Sequence, residues 1–350
     1  MQRWMIYGAN GYSAGLIIEL AKKAGHDVIL AGRNAQAIME LGKQHQLQTC
    51  CFGLDDKDTI IKCLQKIEIV LNCAGPFSKT AKAMVEACLV TKTIYLDITG
   101  EIDVFEMIHS KHDELVTAGT TAIPGVGFDV VPSDCLAKML SERMPNATSL
   151  ELAFYPKDSR FSPGTMKTMV EGLSSGGRVR RDGIITQVPP AYEVKDIVFK
   201  DGKPRTCATI PWGDVSTAWY STKIPNIKVF TTTSKSTLKS MRMSRYTGWL
   251  LAIPSIQKLA KEIIGRKIKG PDADMRAKAR TLFWGEAKTA DGKTTNMWME
   301  TPEGYSLTAE SALKCVEHCL RRRPTPGALT PSVAFGAGFV KELTGVTVGP

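Results

Sequence analysis

The sequence contains no apolar run long enough to cross a bilayer. Its longest, Trp249–Ile253, stops at Pro254, far short of the roughly 18 to 20 residues that a membrane-spanning helix requires. The start has no basic segment followed by a longer apolar one, so a secretory leader is not expected and the cytoplasm is the expected compartment. The nine cysteines are odd in number and nowhere spaced C-x-x-C. That argues against a disulfide scaffold, a zinc knuckle or a thioredoxin-like site, and for reduced thiols. No Ser/His/Asp order or Cys/His pairing marks a nucleophile. A further absence is local: between Asp214 and Glu262 there is no acidic residue, while eight basic ones occur.

What is present describes a globular chain. Hydrophobic residues make up 43% and charged residues 23% of 350, enough for a real core and a length that suits about two domains. The net charge of +10 is unevenly placed. Residues 1–125 carry 12 Lys/Arg against 14 Asp/Glu, and residues 126–350 carry 33 against 21. The surplus therefore belongs to the half expected to choose a substrate or partner. The basic run from Lys223 to Lys261 has three readings. No nucleic-acid-binding module accompanies it, so nucleic acid is not expected. An anionic membrane surface is the second reading. A docking face for an acidic partner or a phosphorylated acyl carrier is the third and fits best, because steering needs a surface of one sign.

The first 130 residues alternate between two patterns. Strand-length apolar runs occupy Arg3–Tyr7, Asp27–Ala31, Gln48–Phe52, Ile69–Cys73, Thr93–Asp97 and Thr121–Ile123. Between them, Tyr12–Lys23, Asn34–Gln44, Lys57–Lys66, Lys79–Cys88 and Val104–Ala118 are amphipathic at helical spacing. This alternation predicts an α/β fold, a Rossmann doubly wound parallel sheet with helices on both faces. Ligands of such sheets sit at the carboxyl ends of the strands, where the strand order reverses.

The first strand runs into Gly8-Ala9-Asn10-Gly11-Tyr12-Ser13-Ala14 at the head of a helix. Gly8 can make the tight turn, Gly11 lets a pyrophosphate approach the backbone, and Ala14 permits close helix packing. Asn10, Tyr12 and Ser13 complete the candidate phosphate loop. The spacing is G-x-x-G-x-x-A rather than G-x-G-x-x-G, so its position after a strand carries much of the signal. The second strand ends in Ala31-Gly32-Arg33-Asn34. It offers no acid for ribose hydroxyls and a guanidinium that can pair with a 2′-phosphate, so Arg33 and Asn34 favour NADP(H) over NAD(H). Asp55 or Asp56 could touch the adenine or be ordinary loop acids.

Three further blocks follow in order: Asn72-Cys73-Ala74-Gly75-Pro76-Phe77, Tyr95–Glu101 and Gly125–Asp134. With the glycine turn, they resemble the saccharopine dehydrogenase-like NAD(P)-binding family, which includes saccharopine reductases and trans-acting enoyl reductases. Leu282–Glu286, Thr301–Thr308 and Thr330–Gly336 are similar to the enoyl-reductase-like branch, so the resemblance covers nearly the whole chain. It departs at Asn10 and Ala14, where relatives often carry Thr and Gly. The resemblance implies an NAD(P)-dependent oxidoreductase acting on an enoyl, imine or carbonyl substrate, small or carrier-bound. It also implies that the turn after the fourth strand passes the nicotinamide, which makes Asn72, Ala74, Gly75 and Pro76 cofactor contacts.

The same edge offers Asp97, Thr99, Gly100 and Glu101. Asp97 and Glu101 can be read as paired carboxylates, one orienting a group and the other exchanging a proton. Equally, Thr99 and Glu101 can cap the next helix. Phe128 could pack on the nicotinamide or in the core, with Asp129 beside it, and Ser133 looks like a helix N-cap. No metal is expected: His109 and His112 read as a surface helix face, and Cys315, His318 and Cys319 as packed thiols beside a helix-end histidine.

From about Asn146 the pattern shortens. Leu150–Tyr155, Ile184–Val188, Val194–Phe199, Thr206–Ile210, Ser216–Thr222 and Val229–Thr233 predict a mostly antiparallel sheet in an α+β domain. Helices are expected within 162–173 and 255–264. The expected domains are 1–135 and 136–325, with 326–350 returning to the first, and a homodimer is left open. Two other functions stay in view. One is a saccharopine-type C–N oxidoreductase, using Arg178, Arg180 and Arg181 for substrate carboxylates. The other is an NADP(H)-binding sensor or scaffold without turnover.

Overall fold

The computed structural model describes residues 3–158, 176–247 and 272–350. The helices expected within 162–173 and 255–264 lie outside the described residues. Two compact units divide the chain: Met1–Val131 with Tyr305–Leu343, and Pro132–Gly304 with Thr344–Pro350.

The first unit is an α/β sandwich. Its strands β1 (Trp4–Tyr7), β2 (Val28–Gly32), β3 (Thr49–Cys51), β4 (Ile69–Asn72), β5 (Ile94–Asp97) and β6 (Thr121–Ile123) join a short strand, Gly327–Ala328. All pairs are parallel, and the order is Gly327–Ala328, β6, β5, β4, β1, β2, β3. Every residue of β1, β4 and β5 is buried, which is why these segments read as continuous apolar runs. Helices α1 (Tyr12–Lys23), α2 (Ala35–His45), α3 (Lys57–Leu64), α4 (Phe77–Thr91), α5 (Ile102–His109) and α6 (His112–Ala118) supply the crossovers.

The helix expected over Val104–Ala118 is two helices, broken where the Ser110 hydroxyl donates to Met107 O at 2.7 Å. His109 is buried rather than on a surface face, as are Phe105 and Ile108 of the same helix.

Sequence reading placed Gly304–Arg321 in the second domain, but this helix packs on the first. Phe128 N donates to Thr308 Oγ1 at 3.0 Å and Ser311 Oγ donates to Val126 O at 2.8 Å. The unit boundary falls at Val131/Pro132, four residues before the expected one. Val131 N bonds Gly127 O at 2.9 Å and so opens α7 (Val131–Arg143). Ser133 therefore lies in the first turn of α7 rather than at its cap, behind a proline in the one turn that tolerates it.

The second unit is built on a nine-stranded mixed sheet. Its strands are β7 (Ala147–Lys157), β8 (Gly177–Arg181), β9 (Ile184–Val188), β10 (Val194–Val198), β11 (Pro204–Thr209), β12 (Asn226–Thr232), β13 (Arg280–Thr289), β14 (Thr294–Pro302) and Thr347–Gly349. All pairs are antiparallel except β12 with β7. The segment 326–350 is thus shared: Gly327–Ala328 extends the first sheet and Thr347–Gly349 pairs with β14 in the second.

One expected strand is absent. Ser216–Thr222 belongs to a helix, Asp214–Thr222. Its small residues Ser216, Thr217, Ala218 and Ser221 are all buried, and Ser221 and Thr222 return their hydroxyls to the carbonyls of Thr217 and Ala218. Tertiary burial overrides the β-branched local preference.

Much of the sheet's positive charge is neutralised in place. Lys195 pairs with Glu151, Lys228 with Glu193 at 2.6 Å, Lys200 with Glu300 at 2.9 Å and Arg205 with Asp201 at 2.5 Å. Three of these cations also cover aromatic rings: Lys195 lies 4.9 Å from Phe230, Lys200 lies 4.3 Å from Trp298 and Arg205 lies 4.2 Å from Tyr155. Leu136 and Leu140 of α7 meet β13 at Gly285, where an added Cβ would stand 2.7 Å from Leu140 Cδ1. Gly285→Val should therefore overpack this contact and destabilise the chain by about 1–3 kcal/mol, read as a lower urea midpoint. An unchanged midpoint would refute the packing.

Candidate active site

Strand order reverses between β1 and β4, and two turns meet there. Gly8 has φ +79°, and a Cβ on it would lie 2.7 Å from Ala74 N. Both the backbone conformation and the neighbouring turn therefore require glycine at this position. Gly8 N and Ala9 N donate to Ala31 O at 2.8 and 3.0 Å, tying the loop to β2.

α1 begins after Gly11, with no side chain capping it and no acid in its first turn. Such an end presents backbone donors and the positive pole of the helix to an anion. Ala14 is wholly buried, as close helix packing requires. Asn10 is exposed, Ser13 is half-buried, and the exposed Tyr12 ring stands edge-on to Tyr305 at 5.1 Å.

Arg33 is exposed just past β2. Asn34 beside it caps α2, accepting from Ala37 N at 3.2 Å. Asp56, considered for adenine, caps α3 by accepting from Asp58 N at 3.2 Å and from the Thr59 hydroxyl.

A buried polar network holds the edge of β4, β5 and β6. Asp97 Oδ1 accepts from Thr99 N at 3.0 Å and Gly125 N at 2.8 Å, and Oδ2 accepts from Tyr95 OH at 2.7 Å. Tyr95 OH in turn accepts from Asn72 Nδ2 at 3.2 Å, and Asn72 Oδ1 accepts from Ala74 N at 3.0 Å. Asn72, Asp97 and Thr99 are all fully buried. Burial pushes the Asp97 carboxyl up to about 6 despite these donors. Tyr95 was not foreseen as part of the site. Its position two residues before Asp97, on the same strand face, is the signal that could have found it.

Glu101 caps a helix, though not the one that follows it. Its carboxylate accepts from Phe77 N at 2.8 Å and Ser78 N at 2.9 Å, closing the start of α4 beside the Gly75-Pro76 turn. Thr99 Oγ1 accepts from Glu101 N at 3.1 Å and so sets the approach. Gly75 is exposed, and a Cβ there would meet nothing nearer than Phe77 at 3.7 Å.

Gly100 differs: a Cβ would strike Asp129 Oδ2 at 2.7 Å. Asp129 is half-buried, makes no hydrogen bond among the described residues, and is pushed up to about 6 by loss of water. Phe128 is half-buried next to it.

The arginine cluster is engaged within its own unit. Arg180 donates to Val215 O at 2.8 Å and Gly183 O at 2.6 Å, and Arg181 donates to Tyr192 OH at 2.5 Å. Cys315 and Cys319 are buried, and His318 pairs with Glu342 at 2.8 Å. Among the described residues, no three His, Cys, Asp or Glu side chains gather as metal ligands.

Residues 4–123 match the family model described as the saccharopine dehydrogenase NADP binding domain. The first domain is thus similar to the NADP-binding domain of that family. Saccharopine dehydrogenase (L-Glu forming) of Saccharomyces cerevisiae shares the fold over 100% of both chains, with a TM-score of 0.66 at 14% identity. A protein of Mycobacterium tuberculosis named as a trans-acting enoyl reductase, Rv2449c, is 28% identical over 186 residues, 49% of this chain and 44% of that one. The saccharopine dehydrogenase-like oxidoreductase of Rattus norvegicus is 23% identical over 212 residues, 53% of this chain and 49% of that one. The chain thus spans about half the length of these curated relatives.

Two outcomes are expected at this edge of the first sheet. Asn34→Ala should cost about 1 kcal/mol of stability through loss of the α2 cap. Nearly unchanged NADPH affinity would separate that role from cofactor contact. Asp97 and Asp129 bind a proton more readily folded, near 6, than unfolded, near ~4. Their contribution to stability is therefore complete below about pH 4 and lost as pH rises through about 6. Urea midpoints should fall across that window, and less steeply in Asp129→Asn; parallel curves would refute the assignment for Asp129.

Proposed function

We propose that the chain is an NADP(H)-dependent oxidoreductase that moves hydride to or from an enoyl, imine or carbonyl group. The observation that carries this reading is the uncapped, acid-free start of α1, set where the turns after β1 and β4 meet, in a domain matching an NADP-binding family model. In this reading Gly8, Gly11, Tyr12 and Ser13 receive the pyrophosphate, with Asn10 at the loop's outer side. Arg33, with no acid at the end of β2, selects the 2′-phosphate and so NADP(H) over NAD(H). Gly75 has no neighbour within the chain that demands glycine, which suits the close approach of a ribose beside Ala74 and Pro76. When bound, the nicotinamide dinucleotide supplies or accepts the hydride.

The protein's own part is positioning and proton handling. Asp97 and Glu101 are positioning residues: one locks the ends of β4 to β6, the other closes α4 behind the Gly75-Pro76 turn. Asp129 is the carboxyl suited to exchange a proton with substrate, since it is partly desolvated, has a raised pKa and makes no hydrogen bond among the described residues. Phe128 and Gly100 shape its surroundings. A carrier-bound acyl substrate is the preferred class, on the strength of the relative named as an enoyl reductase. The C–N alternative loses support because Arg180 and Arg181 are engaged with their own unit. Nine free cysteines suit a reducing compartment, and the cytoplasm is the proposed location.

Arg33→Ala should weaken NADPH binding roughly tenfold and leave NADH binding nearly unchanged, measured by titration of nicotinamide fluorescence. Turnover of an enoyl thioester, imine or ketone panel, followed by nicotinamide absorbance, tests the chemistry. Tight NADPH binding without turnover of any of them would favour a sensor, and no binding of either dinucleotide would overturn the reading.

A further inference from the structure

The positive charge of the second unit is handled in two ways. On its sheet Lys195, Lys200, Lys228 and Arg205 each meet a carboxylate. The helix Lys235–Thr247 is different. It contains four cations and no acid. Lys235, Lys239 and Arg242 are exposed and form no ion pair among the described residues. Their spacing of four and then three puts them on one face of the helix, and Met243 and Tyr246 continue the same stripe. Met243 is 53% exposed and Tyr246 is 77% exposed.

The other side of the helix turns inward. Leu238, Met241 and Ser244 are half-buried, and Arg245 donates to Pro190 O at 2.9 Å and Ala191 O at 2.8 Å, which fixes the face that points out.

We propose that this face docks on an anionic phospholipid surface, with Lys235, Lys239 and Arg242 on the headgroups and Met243 and Tyr246 in the interfacial layer. Basic residues next to an exposed tyrosine and an apolar side chain match what such an interface rewards. Charge alone would serve an acidic protein equally well. The exposure of Met243 and Tyr246 at the end of the stripe favours the bilayer. The docking is electrostatic at first encounter and so weakens as salt shortens the screening length.

The test is co-sedimentation of the full chain with phosphatidylcholine vesicles, with and without phosphatidylserine. Binding is expected only where phosphatidylserine is present, and it should decline with added salt. Combining Lys235→Glu, Lys239→Glu and Arg242→Glu should reduce affinity on the order of a hundredfold, and the three Gln substitutions should reduce it less. Unchanged NADPH binding and melting midpoint in both variants would show that the fold is intact and would separate this surface from the nucleotide site. The proposal fails if the wild-type chain ignores phosphatidylserine vesicles, if the Glu variant binds them as tightly as wild type, or if the same face captures an acidic carrier protein but no vesicles.

Discussion

Everything at the ligand-facing edge of the first sheet depends on one buried carboxylate. Asp97 accepts hydrogen bonds from the backbone after β5, from the backbone after β6 and from Tyr95, through which it reaches Asn72 and the turn after β4. A carboxyl with no exposure would be costly if any oxygen lacked a donor. Three donors, together with the link from Tyr95 to Asn72, make it instead a clamp that sets the ends of β4, β5 and β6 relative to one another. Burial disfavours the charge on Asp97 and outweighs those donors, which favour it, so the carboxyl's pKa is raised.

The clamp explains how the neighbouring glycines sort. Gly8 is demanded by the turn around Ala74 and by its own positive φ, and Gly100 by the approach of Asp129. Among the described residues nothing demands glycine at Gly75. Glu101 extends the same logic to α4, since it closes that helix while the start of α1 stays uncapped. Of these two helix starts at the edge, one is satisfied by a carboxylate and the other has no side-chain cap; the proposed reading seats the cofactor's pyrophosphate at the second.

The second unit separates two uses of positive charge. Lysines and arginines on the sheet lie over aromatic rings and against carboxylates, where their stems cover apolar surface and their charges are matched. Lys235, Lys239 and Arg242 on the exposed face of Lys235–Thr247 form no ion pair among the described residues. A chain with a surplus of ten positive charges can therefore look uniformly basic in composition while its cations sit in two different local settings.

The sequence by itself determined the first sheet, its helices and the place of the glycine turn. Those signals are local: apolar runs of strand length, helical spacing, and a turn residue at a strand end. It also put Asp97 at the end of its strand, with Glu101 and Asp129 in the loops that follow β5 and β6. Only the tertiary structure decided what each carboxyl does, because capping α4 from a residue 24 positions away and clamping three strand ends are contacts with no spacing signature. For the same reason Ser216–Thr222 looked like a strand and folds as a helix, and Gly304–Arg321 looked like part of the second domain and packs on the first. Burial and long-range hydrogen bonds outweigh local preference there, and neither can be read from neighbours in the chain.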